Sequence, residues 1–300
     1  MSRTNFKELL EAGVHFGHLK KKYNPAMSPY VFMEKNGIHI IDLNKTVAML
    51  EDATAAMKQI AKSGKKILFV ATKKQAKSIV AEGANKLNMP FITERWPGGL
   101  LTNFATIRKS IKKMDGIDKM KVDGTFESLS KRERLQINRT REKLEINFGS
   151  IVKMNRMPEA IFIVDINKEH IAVKESSKLG IRSFAVTDTN TNPNYVNFPI
   201  PANDDASKSI DYIMSIVFQA VSEGLEERAE DQNTRAIEKQ KKAKIILMSG
   251  TPSPENFSQL YHQVSFIKGN PFEKYPSFYK FAKDYVNVTQ KRIGSMTVND

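Results

Sequence analysis

Three unbroken apolar runs, each joined to an amphipathic stretch, limit what this chain can fold into. Lys66-Ile-Leu-Phe-Val-Ala, Ala160-Ile-Phe-Ile-Val-Asp and Arg182-Ser-Phe-Ala-Val-Thr are rich in β-branched and aromatic residues, without the alternation of a sheet that keeps one face wet. Helical periods lie between and around them. Val47, Leu50, Ala53, Met57 and Ile60 mark a helix over 42–60, and Ile79, Val80 and Ala84 mark a second. A third around 171–179 closes at Gly180, and a last one over 206–221 carries Ile210, Ile213, Met214, Val217 and Phe218 on one face. Short strands are expected at 37–42 and 91–93. At the start, Thr4 or Asn5 caps a helix whose Leu9, Leu10 and Val14 face inward. The rhythm predicts an α/β fold: a flavodoxin- or Rossmann-like parallel sheet with helices on both faces.

Residues 104–157 break this rhythm. A basic helix over 105–114 leads to a loop containing Gly116 and Gly124. Ser130 then opens a long helix, with Glu133 three residues on completing a capping box. Leu135, Leu144, Phe148, Ile151 and Val152 give a narrow apolar seam, which suits an inserted antiparallel two-helix hairpin. The insert therefore divides an α/β core into residues 1–103 and 158–225. A charged run, 226–243, reads as a solvated helix or disordered linker, and 244–300 forms an aromatic-rich extension.

The net charge of +14 belongs to a polyanion binder. Lys and Arg run along the whole chain, so a folded basic surface is expected rather than a basic arm. The chain has no Cys, which excludes disulfides, thiolate zinc sites and cysteine nucleophiles. No apolar run has membrane-spanning length, and the N-terminus lacks a signal-peptide core; a cytosolic, non-membrane protein is expected.

Two kinds of site chemistry have candidate residues in the chain. Thr72-Lys73-Lys74 follows a strand where doubly wound folds bind phosphates, yet no G-x-x-x-x-G-K-[ST], G-x-G-x-x-G or G-x-S-x-G motif occurs. No enzyme is expected; a metal- or nucleotide-dependent enzyme on the same sheet, or a protein-interaction adaptor, are the alternative functions. Asp165 and Asp188 end parallel strands on one edge, and Asn203, Asp204 and Asp205 begin the last helix nearby. With His15 or His18 these carboxylates offer a site for a structural Mg²⁺ or Zn²⁺, His18, Asp188, Asp204 and Asp205 being the candidate ligands; no cofactor is required. Otherwise Asp204 or Asp205 caps the helix. Trp96, in Arg95-Trp-Pro-Gly-Gly, reads as a core or hinge anchor, His39 as a satisfied core histidine and His170 as an exposed helix start.

Residues 12–46 are the most specific stretch. They combine His15-Phe16-Gly17-His18, the run Lys20-Lys21-Lys22, and Tyr23, Asn24, Tyr30 and Phe32, a set suited to phosphate neutralisation and base stacking. The string resembles the N-terminal signature of the ribosomal protein uS2 family, bacterial small-subunit protein S2. Lys66–Ala76, Arg95–Asn103, Pro158–Glu169 continuing through Val173 and Glu175, Asp188–Asn190 and Pro199–Asp205 are similar to further blocks of that family in the same order.

The resemblance implies a structural protein of the small (30S) ribosomal subunit, in the cytoplasm, with a protruding coiled-coil hairpin. Implied partners are 16S rRNA and other small-subunit proteins including S1, with no homo-oligomer. Lys20, Lys21, Lys22, Tyr23, Asn24, Lys73, Lys74, Arg95, Arg108, Lys112 and Lys113 are the expected RNA contacts, Lys73 and Lys74 as surface cations. From Ala243 the chain departs from the tail usual in the family. Lys244–His262 reads as strand, tight turn and helix, and resembles the Ser/Thr-Gly-Thr-Pro segment of Snf2-like superfamily-2 helicases, without that family's other motifs.

Overall fold

The structure, a computed structural model, describes residues 4–242, 277, 280, 290–293 and 296–299. The chain divides into two compact units, Met1–Asn233 and Thr234–Asp300.

In the first unit, α1 (Phe6–Glu11) is capped by Asn5, whose side chain accepts from the Glu8 amide. β1 (Phe16–Leu19), β2 (Val31–Lys35) and β3 (Ile38–Ile41) form a small antiparallel sheet in the order β1-β3-β2. Then follow α2 (Leu43–Lys62), β4 (Ile67–Val70), α3 (Lys74–Lys86), β5 (Phe91–Ile92), α4 (Phe104–Val122), α5 (Lys131–Phe148), β6 (Ala160–Val164), α6 (His170–Lys178), β7 (Arg182–Thr187), β8 (Phe198–Pro201) and α7 (Ser207–Lys242). The main sheet is parallel, five-stranded and ordered β5-β4-β6-β7-β8. Strand order reverses between β4 and β6, the doubly wound arrangement of flavodoxin-like folds.

The two-residue period of the strands builds two cores. Ile67, Phe69, Phe162, Val164, Phe184 and Val186 pack on one face with Leu50, Met57, Val80, Ile213 and Val217. Leu68, Val70, Ile161, Ile163 and Ala185 pack on the other with Trp96, Ile107, Ile111, Ile151 and Val173. Both faces of β4 and β6 are buried, as their continuous apolar runs require. β8 holds two prolines, so nothing in its local sequence marks a strand; it is tolerated because it lies at the sheet's edge.

The insert is the expected antiparallel hairpin. α4 runs on to Val122, so Gly116 lies inside the helix, and the turn begins only at Asp123. Ser130 and Glu133 form the reciprocal capping box. Ile107 and Ile111 pack in one cluster with Phe148 and the partly buried Leu144, and Met114 and Ile117 are buried further along α4. Leu135 faces out, 52% exposed, as does Leu10 of α1 at 44%. Arg141 crosses the hairpin to Asp118 and also binds Glu145. α7 extends past Val221 through the charged run. In the second unit, β9 (Gln290–Ile293) pairs antiparallel with β10 (Met296–Asn299); the expected strand and helix at 244–262 lie outside the described residues.

Candidate functional site

The carboxyl edge of the sheet, at the strand-order reversal, gathers most of the candidate ligands. Lys73, the last residue before α3, places its Nζ 2.7 Å from Asp204 Oδ1, 2.8 Å from Asp205 Oδ1 and 3.1 Å from Asp165 Oδ2. Asp165 ends β6 with a left-handed φ of 72°. His18 arrives from β1: its Nδ1 lies 3.0 Å from Asp188 Oδ2 and its Nε2 3.2 Å from Asp205 Oδ2. Close backbone approach brings it there. A Cβ on Gly17 would sit 2.5 Å from Thr189 Cγ2 and 2.8 Å from the His39 carbonyl, so only glycine fits. The His18 amide donates to Thr189 Oγ1 at 2.8 Å and the Asn24 amide to the Thr189 carbonyl at 2.9 Å. Asn203, rather than Asp204 or Asp205, caps the turn into α7: its Oδ1 accepts from the Asp205 and Ala206 amides.

The electrostatics follow from burial. Asp204, with no exposed surface, has its pKa pushed up to about 7 by desolvation and by the charges of Asp188 and Asp165, against the opposing pull of Lys73. Burial works against a charged Lys73, but Asp204, Asp205 and Asp165 outweigh it and raise its pKa. His18 is raised by its hydrogen bond to Asp188, although burial opposes this. Asp204 Oδ2 and Thr187 Oγ1 are buried without a hydrogen-bond partner.

The phosphate-binding edge of the fold is therefore filled by ion pairs. Beside it remains a hollow of about 330 Å³ lined by Thr72, Arg95, Lys168, Glu169 and Ile171 among others. Glu169 accepts from the Thr72 amide at 3.2 Å and from its hydroxyl, and burial raises its pKa. Trp96, which also lines this hollow, is buried, donating from Nε1 to Glu175 at 3.1 Å. Glu175 also accepts from the Gly99, Leu101 and Thr102 amides and the Thr102 hydroxyl. Burial alone would raise its pKa; these donors hold it below the usual carboxylate range. Glu175 thus anchors the Arg95–Asn103 loop, a role with no signal in the sequence because most of its donors are backbone amides.

The other expected RNA contacts separate into two groups. Lys20, Lys21 and Lys22 form an exposed 3₁₀ turn, with Lys20 bonded to Glu34 at 2.9 Å. Lys74, Arg95, Lys112 and Lys113 are exposed. Lys73, by contrast, is no surface cation: its side chain is 13% exposed and held by three carboxylates. The Arg108 guanidinium donates to the Val152 and Met154 carbonyls and to Asn155, closing the base of the hairpin. Tyr23 stacks on His39 at 4.3 Å, and Asn24 caps the following 3₁₀ turn. His39 is buried but not satisfied, because neither ring nitrogen has a hydrogen-bond partner. His170 is exposed at the start of α6.

A doubly wound parallel sheet whose carboxyl edge is filled by the chain's own ion pairs carries an inserted basic helical hairpin, and this combination defines the class of protein. The chain belongs to the ribosomal protein S2 family, whose match covers residues 9–224. Among relatives, the small ribosomal subunit protein uS2 of Parabacteroides distasonis is 61% identical over 88% of this chain and 97% of its own length. Those of Phocaeicola vulgatus and Flavobacterium johnsoniae are 64% and 62% identical, over 76% and 79% of this chain and 82% and 93% of their own lengths. The family is ribosomal, which places the chain in the bacterial cytoplasm, and no described helix is long and apolar enough to cross a membrane. The Parabacteroides match, at 88% of 300 residues, necessarily continues past Lys242. The extension is thus shared at least in its beginning, and the helicase resemblance finds no support in these relatives.

Because the fold favours protonated Asp204 and charged His18, their contributions are fully present at low pH and lost as pH rises through their folded pKa values. Thermal unfolding in a chelator is expected to show Tm falling as pH rises from about 5 to about 8, above the range where ordinary carboxylates titrate. Asp204→Asn should flatten that fall; an unchanged slope would contradict the assignment.

Proposed function

We propose that this chain is a structural constituent of the small ribosomal subunit that binds 16S rRNA and packs against neighbouring subunit proteins, S1 among them. One observation carries the RNA reading. Lys21, Lys74, Arg95, Lys112 and Lys113 are exposed and make no ion pair among the described residues, and Lys22, next to Lys21, is exposed as well. Unpaired surface cations are what phosphate contacts need. The insert carries half of the net charge, and a protruding hairpin presents it at a distance from the core. Lys73 and Arg108 support this role only indirectly, since their charges are engaged within the fold. Contacts with subunit proteins are supported by Phe16, Leu19, Phe32 and Met33, apolar residues between 47% and 71% exposed on the small sheet, more than a solitary soluble surface needs.

Sucrose-gradient sedimentation of tagged protein tests this directly. The full chain is expected in the 30S peak. A variant with Lys21, Lys22, Lys112 and Lys113 changed to Gln is expected to leave that peak at lower salt. Absence of the full chain from the 30S peak would overturn the reading, and equal salt resistance would overturn the residue assignment.

We further propose that His18, Asp188 and Asp204, with Asp205 at the rim, hold a structural cation. One ligand atom from each of the first three lies within 4.8 Å of the others, and the unpartnered Asp204 Oδ2 is free to bind. An imidazole among the donors favours Zn²⁺ over Mg²⁺. At about pH 8, where Asp204 is ionised, added Zn²⁺ is expected to raise Tm in the native chain and not in Asp204→Asn. No rise in the native chain would exclude the site.

A further inference from the structure

The opposite, amino edge of the sheet holds cations of a different kind. Lys66 immediately precedes β4, Lys153 follows the hairpin, and Arg228 comes from α7. Their neighbours are paired: Lys65 with Glu159 at 2.8 Å, and Lys58 and Lys62 with Glu227 at 2.7 and 2.9 Å. Among the described residues, no carboxylate pairs with Lys66, Lys153 or Arg228.

Lys66 and Lys153 are drawn together by one residue. Lys66 Nζ donates to the Asn88 carbonyl at 2.7 Å, and Lys153 Nζ approaches Asn88 Oδ1 at 3.3 Å. Asn88 is fixed in the left-handed region, φ 52°, which aims both oxygens at the two ammonium groups. Arg228 is held close by lying against Gly64, where a Cβ would meet its Cζ at 2.0 Å. The arrangement is costly for charge: after burial, Arg228 and Lys153 are what lower the Lys66 pKa.

These lysines border a concavity of about 180 Å³ that Asn85, Asn88 and Ser150 also line. Its size is below the roughly 300–1,000 Å³ of sites that hold drug-sized ligands. It suits one compact anionic group, and the amides of Asn85 and Asn88 add donors. Like charges assembled around a polar hollow, without a protein counter-ion, are relieved by a bound anion.

We propose that Lys66 and Lys153, with the Arg228 charge nearby, form a phosphate-binding site at the amino edge of the sheet, occupied by a phosphodiester of the RNA that the chain binds. The proposal rests on the RNA-binding reading above and adds a contact remote from the N-terminal lysines and the hairpin. A free phosphate would satisfy the same chemistry, so the test separates the two sources.

The full chain, Lys66→Gln/Lys153→Gln, the charge-retaining Lys66→Arg/Lys153→Arg and the neighbouring control Lys65→Gln are compared in two assays, after circular dichroism confirms folding. In the first, affinity for full-length 16S rRNA is measured against salt. Losing two phosphate contacts is expected to reduce the log–log slope by roughly 1.5, while the Arg pair and Lys65→Gln keep the native slope. In the second, Tm is measured in inorganic phosphate and in chloride of equal ionic strength; phosphate is expected to stabilise the full chain and not the Gln pair. A native slope in the Gln pair together with that selective stabilisation assigns the site to free phosphate. A native slope and no selective stabilisation overturn the site. If the full chain itself binds 16S rRNA without salt dependence, the RNA reading fails, and the phosphate assay alone decides whether the site exists.

Discussion

The fold depends on one largely enclosed cation. Lys73 sits at the strand-order reversal with three carboxylates within 3.1 Å, and a charge there is tolerable only because it is paired. Asp165, Asp188, Asp204 and Asp205 converge from β6, β7 and the entry to α7, and would repel one another without it. Lys73 alone does not balance four carboxylates. His18 supplies the second partner, which explains why the chain before α2 folds back over the sheet's edge and why position 17 is glycine; Asp204 keeps a raised pKa because burial and the charges of Asp188 and Asp165 outweigh the pull of Lys73.

This lock changes what the architecture can do. In doubly wound sheets, the crevice outside the carboxyl ends of the strands at the reversal is the usual ligand site, and fold alone would suggest a nucleotide. Here Lys73, the residue placed to meet a phosphate, meets aspartates of its own chain. The remaining positive charge lies on the outside: on the 3₁₀ turn of Lys20, Lys21 and Lys22, on the α4–α5 hairpin and at the amino edge of the sheet. A ribosomal role follows the same division, with a rigid core positioning cations that the core itself does not neutralise.

What could be read from the sequence was whatever local pattern decides. The unbroken runs at 67–70 and 160–164 can only be doubly buried strands, and Ser130 with Glu133 marks a helix start by its own hydrogen bonds. The Asp165, Asp188, Asp204 and His18 grouping was legible because strand ends on one sheet edge must be neighbours. Tertiary context decided the rest. Thr72-Lys73-Lys74 presents two identical cations, and only a partner 131 residues on determines that the first is paired within the fold and the second is exposed. β8 was hidden by its prolines. Leu135 has a place in the helical period, yet it is left exposed, and part of the hairpin is joined instead by the ion pair of Arg141 with Asp118. Glu175 looked like one acid on an amphipathic helix; its importance comes from amides folded around it from the Arg95–Asn103 loop.

Equilibrium unfolding of Lys73→Met measures the central interaction most directly. Removing the cation leaves carboxylates buried without their counter-charge, so a loss of about 3–5 kcal/mol is predicted, the range for breaking a buried ion pair. A loss below about 1 kcal/mol, the range of surface salt bridges, would mean that the carboxyl edge is not locked and that the closed crevice is not what holds the fold together.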